Sequence, residues 1–93
     1  MRIINLAGAS VALPIAPAPV LYYRGFELRE FTGTTTALVR IWDAASATGK
    51  ILDEVSLAAN ESARENYGVA KLALIGIYVE IVSGTVVGSI CFD

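Results

Sequence analysis

From Leu21 onward the chain is written in short runs whose apolar residues recur at every second position, with turn residues between the runs. Alternate side chains of an extended strand point to opposite faces, so a period of two marks strands with one face buried. Thr35 to Asp43 is a clear case: Ala37, Val39 and Ile41 share one face, and Leu38, Arg40 and Trp42 share the other. Its β-branched and aromatic content favours strand over helix. Leu21 to Phe31 alternates too, with Tyr22, Arg24, Phe26, Leu28 and Glu30 on one face and Tyr23, Gly25, Glu27, Arg29 and Phe31 on the other. Phe26 and Leu28 mark the expected core side. Lys50 to Leu57 reads as a third strand in which Ile51, Val55 and Leu57 share a face with Asp53. A bulge or a strand end near Asp53 accounts for that misfit. Ile77 to Val82 turns Ile77, Val79 and Ile81 inward, and Thr85 to Phe92 returns with Val86, Gly88, Ile90 and Phe92 on one face. Ser83-Gly84 stands between them as a two-residue turn, so these two strands are expected to pair as a hairpin.

The remaining segments are less regular. Thr32-Gly33-Thr34 is a turn and Ala44 to Gly49 a loop of small residues. Ala58 to Gly68 holds the residues with the best helix propensity, and Asn60 or Ser62 suits a cap. It has no apolar stripe, which points to a loop or a single helical turn. Val69 to Ile75 is apolar and fits an extended crossing between sheets. Short strands with turns every eight to twelve residues or so indicate a β-sandwich or jelly roll. The expected fold is therefore all-β: one small sandwich or jelly-roll-like domain over 21–93, preceded by an extended apolar, proline-rich arm over 1–20. Within the arm, Arg2 to Leu6 suits a short edge strand. Val11 to Val20 is expected to be extended or polyproline-like, because proline fixes φ and cannot donate to a central ladder.

Composition narrows the class of function. Of the 93 residues, 55 % are hydrophobic and 17 % charged, against roughly 25 % charged in an ordinary soluble domain. The mean hydropathy is +0.59. Such a chain spans a membrane or has its apolar surplus covered by partners. Ile3 to Tyr23 carries no charge, but Pro14, Pro17 and Pro19 lie inside it and oppose a spanning helix. Arg2, an apolar run and Ala16-Pro17-Ala18 have the outline of a secretory signal, yet Asn5, Gly8, Ser10 and Pro14 interrupt the run. Neither a membrane nor a signal is expected. The net charge is −2, only Lys50 and Lys71 are lysines, and the five arginines are dispersed. Nucleic acid, which requires a basic patch, is not an expected partner. The single Cys91 cannot close a disulfide within the chain, in keeping with a reducing compartment of synthesis.

No catalytic, metal or cofactor site is legible. There is no histidine. Cys91 has no base or cation implied beside it, and reads as a packed, inert thiol. Glu27/Glu30, Asp53/Glu54 and Glu61/Glu65 read as charges on solvated strand faces and loops rather than a carboxylate pair across a cleft. Asp43 with Ser46 and Thr48 is too sparse for calcium. Arg24, Arg29 and Arg40, on strands neighbouring Glu27 and Glu30, suit cross-strand or intersubunit ion pairs. The aromatic residues Tyr22, Tyr23, Trp42, Tyr67 and Tyr78 admit two placements: at contacts between subunits, where such side chains are enriched, or packed beneath the arm and in the second layer. The expected contact residues are Ile3, Leu6, Leu13 and Ile15 in the arm, with Tyr22, Tyr23, Trp42 and Tyr67 in the body.

Four segments carry a resemblance: Tyr23-Arg24-Gly25-Phe26-Glu27-Leu28-Arg29-Glu30, Leu38-Val39-Arg40-Ile41-Trp42-Asp43, Leu57 to Gly68, and Gly76 to Ser89. Together they resemble a type of short open reading frame found among tailed-bacteriophage structural genes. The resemblance implies a non-catalytic virion protein without cofactors, first a small β-sandwich capsid decoration (cement) or head-associated protein, second a minor tail protein. It implies a homo-oligomer, a trimer first, seated on a major capsid protein at the outer surface of the head after synthesis in the host cytoplasm. A carbohydrate- or receptor-binding β module, with Trp42 and the tyrosines as a stacking platform, and an enzyme accessory domain are the other readings. The arm is expected to clamp the subunit to a neighbour or to the shell.

Overall fold

The computed structural model describes residues 2–7, 11–13 and 21–93. The described residues are all-β, with eight strands: β1 (Arg2–Ala7), β2 (Val11–Leu13), β3 (Leu21–Glu30), β4 (Ala37–Asp43), β5 (Lys50–Leu57), β6 (Ser62–Ala73), β7 (Ile77–Ser83) and β8 (Val86–Phe92). They form two four-stranded sheets, β1-β8-β3-β6 and β2-β7-β4-β5. Every pairing is antiparallel. Successive strands change sheet at every step except β4 to β5, which is a hairpin. This order is that of an eight-stranded jelly roll.

The core lies between the sheets and follows the alternation. Ala37, Val39 and Ile41 of β4 face Leu28 of β3 and Val86 and Ile90 of β8, with Ile77 and Val79 of β7 beside them, all buried in one cluster. Each of these valine, leucine and isoleucine side chains contributes about 1.5–3 kcal/mol on burial. The irregularity foreseen near Asp53 is present: Ile41 stands opposite Asp53 and Trp42 opposite Ile51, so Leu52 is the extra residue of a bulge and turns inward.

A second bulge reverses part of the expected face of β3. Tyr23 stands opposite Phe92 and Gly25 opposite Cys91, leaving Arg24 as the extra residue. Leu21 and Tyr23 therefore face the core before the bulge, and Phe26, Leu28 and Glu30 after it. Gly25 has φ of +144°, and a Cβ there would collide with the Glu65 carbonyl oxygen, so the position requires glycine.

Three expectations need correction. β7 and β8 form where the alternation placed them but do not pair as a hairpin. β7 lies between β2 and β4, and β8 between β1 and β3. The connection at Gly84-Thr85 carries the chain from one sheet to the other, with Gly84 at φ +78° and the start of β4 packed so closely that a Cβ would come within 2.7 Å of Ala37 Cβ. A hairpin and an inter-sheet corner share the same alternation and turn residues, so the local pattern cannot separate them. Second, Ser62 to Gly68 is not a loop or helical turn but the first part of β6. Ser62 to Asn66 pair with Arg29 to Gly25 of β3, and this ladder outweighs local helix propensity. Third, Val69 to Ala73 continues β6, and the crossing to β7 is confined to Leu74, Ile75 and Gly76.

The expected edge strand at Arg2–Leu6 is β1. Val11–Leu13 adds to the other sheet beside β7. The described parts of the expected arm are thus hydrogen-bonded into the chain's own sandwich. Residues 14–20, including Ile15, lie outside the described residues.

Candidate functional site

Apolar and short, the β6–β7 connection would ordinarily fold its side chains inward. Here Leu74 and Ile75 are exposed, at 61 % and 58 %. The cause is Asp43 at the end of β4. Its carboxylate accepts the backbone N–H of Leu74 (3.1 Å), Ile75 (2.8 Å) and Gly76 (3.3 Å). Burial alone would raise the Asp43 pKa, but these three bonds, with help from the charge of Lys50, bring it below its ordinary value. The carboxylate therefore fixes the loop backbone and holds both apolar side chains outward.

The surroundings continue this apolar character around the same end of the sandwich. Leu72, the outward residue of β6 just before the loop, stands opposite Tyr22 of β3, and both are exposed. On the outer face of the other sheet, Trp42 stands opposite Tyr78 on one side and Ile51 on the other. Trp42 and Tyr78 are half-buried and Ile51 is exposed. Trp42 Nε1 donates to Glu80 Oε1 (3.1 Å), and Arg40 pairs with Glu54 (2.8 Å) in the next row. Tyr22 and Leu72 on the outer face of one sheet, Trp42 and Ile51 on the outer face of the other, and Leu74 and Ile75 at the tip thus place apolar side chains around one rim of the sandwich, with a polar row behind Trp42 on the second sheet. An exposed apolar grouping of this kind marks a contact surface.

The expected contact residues separate into groups. Tyr22 and Trp42 are on the rim. Ile3 is exposed on the outer face of β1. Leu6 and Tyr23 are buried in the chain's own core and are not surface residues: Leu6 faces inward from β1, and the bulge at Arg24 turns Tyr23 inward. Tyr67 packs against that core, its ring tilted 53° to that of Tyr23 at 5.9 Å. Leu13 lies in β2 opposite Ile77. Leu72, Leu74, Ile75 and Ile51 were not expected. The apolar run Val69 to Ile75 carried the only signal for the first three, and it suited burial equally well.

The two tyrosines belong to a tie between the sheets. Both hydroxyls donate to Asp53 Oδ2, Tyr23 at 2.9 Å and Tyr67 at 2.7 Å. Burial first, and then the Asp53 charge and hydrogen bond, hold the Tyr23 phenol protonated well above its usual range; burial and the bond to Asp53 do the same for Tyr67. Lys71 Nζ donates to the Leu52 carbonyl (2.8 Å) and lies 4.6 Å from the Tyr67 ring centroid. The chemistry here is cohesion of β3, β5 and β6.

Of the carboxylates expected on solvated faces, Glu27, Glu54, Glu61 and Glu65 are exposed, whereas Asp53 is half-buried and Glu30 is not solvated. Glu30 is fully buried and accepts from Thr32 N (3.0 Å), Thr32 Oγ1 (2.8 Å), Gly33 N (2.7 Å) and Asn60 N (3.1 Å). Burial would raise its pKa, but the bonds from Thr32, Asn60 and Gly33 outweigh it and lower it to about 2. Glu30 thereby joins the β3–β4 and β5–β6 connections. Glu27 pairs with Arg64 (3.1 Å) and Arg24 with Asp93 (2.8 Å), while Arg29 donates to Asn60. Cys91 is half-buried on the outer face of the first sheet, in a shallow depression bordered by Glu27, Arg64 and Asn66. Among the described residues, no three His, Cys, Asp or Glu side chains are grouped to hold a metal ion. No protein-family model matches the chain, and neither the curated proteins nor the solved structures contain a significant match to it.

Proposed function

We propose that the chain is a non-catalytic structural subunit that docks through its apolar rim onto a larger assembly, and that this assembly is the head of a tailed-phage particle, decorated and stabilised from outside. The observation that carries the docking is the Leu74-Ile75 tip. Three hydrogen bonds to a buried carboxylate hold two large apolar side chains in water, an arrangement that a partner surface would reward because the loop is already ordered. The resemblance of the four segments to phage structural genes supports the finer reading. Jelly rolls serve as viral capsid domains and also as lectins, so the fold adds an analogy and no more.

The test is binding of the purified chain to tailed-phage heads from the source of the sequence, followed by co-sedimentation. Leu74→Asp with Ile75→Asp is expected to abolish co-sedimentation while circular dichroism stays that of the parent. Full occupancy by this variant would sink the docking surface, and no binding by the parent would sink the virion reading. The half-buried Trp42–Tyr78 row favours a second reading, a carbohydrate-binding module, in which Trp42→Ala would lose retention on a glycan column.

A further inference from the structure

The four edge strands of the sandwich end differently. β2 is three residues long. β5 is interrupted by its bulge at Leu52 and carries Lys50, Asp53 and Glu54. β6 leaves the ladder altogether over residues 67–70, which have no partner in β3, and carries Arg64, Glu65 and Lys71. Val69 at the crest of that excursion is 87 % exposed. Short length, charge and bulges are the means by which edge strands avoid pairing with other chains.

β1 is neither short nor bulged. It pairs with β8 from Arg2↔Phe92 to Ala7↔Val87 without a break in register. Its one charge stands at its first residue, and it has no proline or glycine. No described strand lies beyond it. Its outer-face residues Ile3, Asn5 and Ala7 are exposed, Ile3 at 59 %.

We propose that β1 is a pairing edge for a second copy of this chain, two β1 strands joining antiparallel about a two-fold axis so that two four-stranded sheets become one continuous sheet. The occupant follows from the charge pattern. An axis normal to the sheet keeps the outer face outer in both copies. Centred on Ile4, it sets Ile3 opposite Asn5 of the second copy and Arg2 opposite Leu6. The two Arg2 positions then stand at opposite ends of the seam, and no like charges face each other. The strand is thus complementary to itself in the one arrangement that closes after two chains. This pairing does not rest on the virion reading, and the rim at the β6–β7 tip remains available to a different partner.

Light scattering of the purified chain tests it. The expected molar mass is twice the 9.8 kDa of the chain. Ile3→Lys with Asn5→Lys sets like charges directly opposite at two points of the seam and is expected to raise the dissociation constant about tenfold or more. Ile3→Glu with Asn5→Glu is expected to do the same. Mixing the two variants is expected to restore a dimer containing one of each, which neither misfolding nor an unrelated contact would produce. A parent that stays monomeric up to submillimolar concentration overturns the proposal. So does a lysine variant that remains dimeric, because the contact then lies elsewhere, or a pair of variants that stay monomeric when mixed.

Discussion

The two long sides of the sandwich are finished in opposite ways. On the side of β5 and β6, polar groups cross from sheet to sheet: Tyr23 and Tyr67 meet on Asp53, and Lys71 reaches the Leu52 carbonyl. Both strands there are irregular, and the irregularities expose the groups that the tie then satisfies. On the side of β1 and β2 the described backbone is regular, and Leu6 is the described inward anchor of β1. A small domain has little core to spare. A side locked by hydrogen bonds is protected from strand addition by its own distortion, whereas a side held by a plain ladder keeps a surface that another chain can read. Rigidity and availability for pairing are thus separated across one fold.

The comparison breaks most readily at Tyr23. Tyr23→Ala removes a fully buried ring from the locked side and is expected to cost about 4 kcal/mol, the middle of the range for aromatic truncation. Urea unfolding at neutral pH measures it. The counterpart on the plain side is Leu6→Ala, expected to cost about 2 kcal/mol, the lower end for a buried leucine, because an edge strand with one neighbour relaxes into the space. Equal losses at the two sites would mean that β1 is as integral to the core as β3, and the contrast between the sides would fall. The measurements belong at a concentration where one species dominates, since any dimer through β1 would add its own stability to Leu6.

These sites also show what the residues alone made legible. The inward faces of β4, β7 and β8 follow directly from alternation, because a half-buried strand has a period that its own neighbours reveal. The misfit near Asp53 announced a bulge, since one face cannot hold Ile51, Val55 and Leu57 together with a carboxylate. Partner choice was not legible. Whether β7 turns back onto β8 or crosses to the other sheet depends on contacts far along the chain, and Ser62 to Asn66 became strand because β3 supplied a ladder. The candidate site divides in the same way. Tyr22 and Trp42 were visible as amphipathic residues on alternating strands. Tyr23 changed sides at a bulge that its own run did not mark. Leu74 and Ile75 are held out by Asp43, some thirty residues away in sequence, and a run of apolar residues gives no sign of a carboxylate that distant.

Acid titration gives the smallest effect near neutrality and sharpens the comparison by separating the ends of the sandwich from its sides. Glu30 and Asp43 each tie connections at an end, and both have folded pKa values below their ordinary ones. A carboxylate of this kind contributes stability that is fully present above its unfolded pKa and is lost as pH falls through its folded pKa. For Glu30 the window runs from the ordinary 4.5 down to about 2. The thermal midpoint is therefore expected to be flat from pH 7 to pH 5 as far as these two groups are concerned, and to fall steeply below 4.5. Glu30→Gln cannot be protonated further and is expected to begin from a lower midpoint at neutral pH and to fall less below 4.5. Amide exchange of Thr32, Gly33 and Asn60 resolves the origin, because these are the backbone donors to Glu30. They are expected to lose protection as the acid window is entered, before the amides of β4 in the core. Simultaneous loss at both places would mean that the end connections and the sheets open as one unit, and that the ties at the ends have no separate existence from the ladder they close.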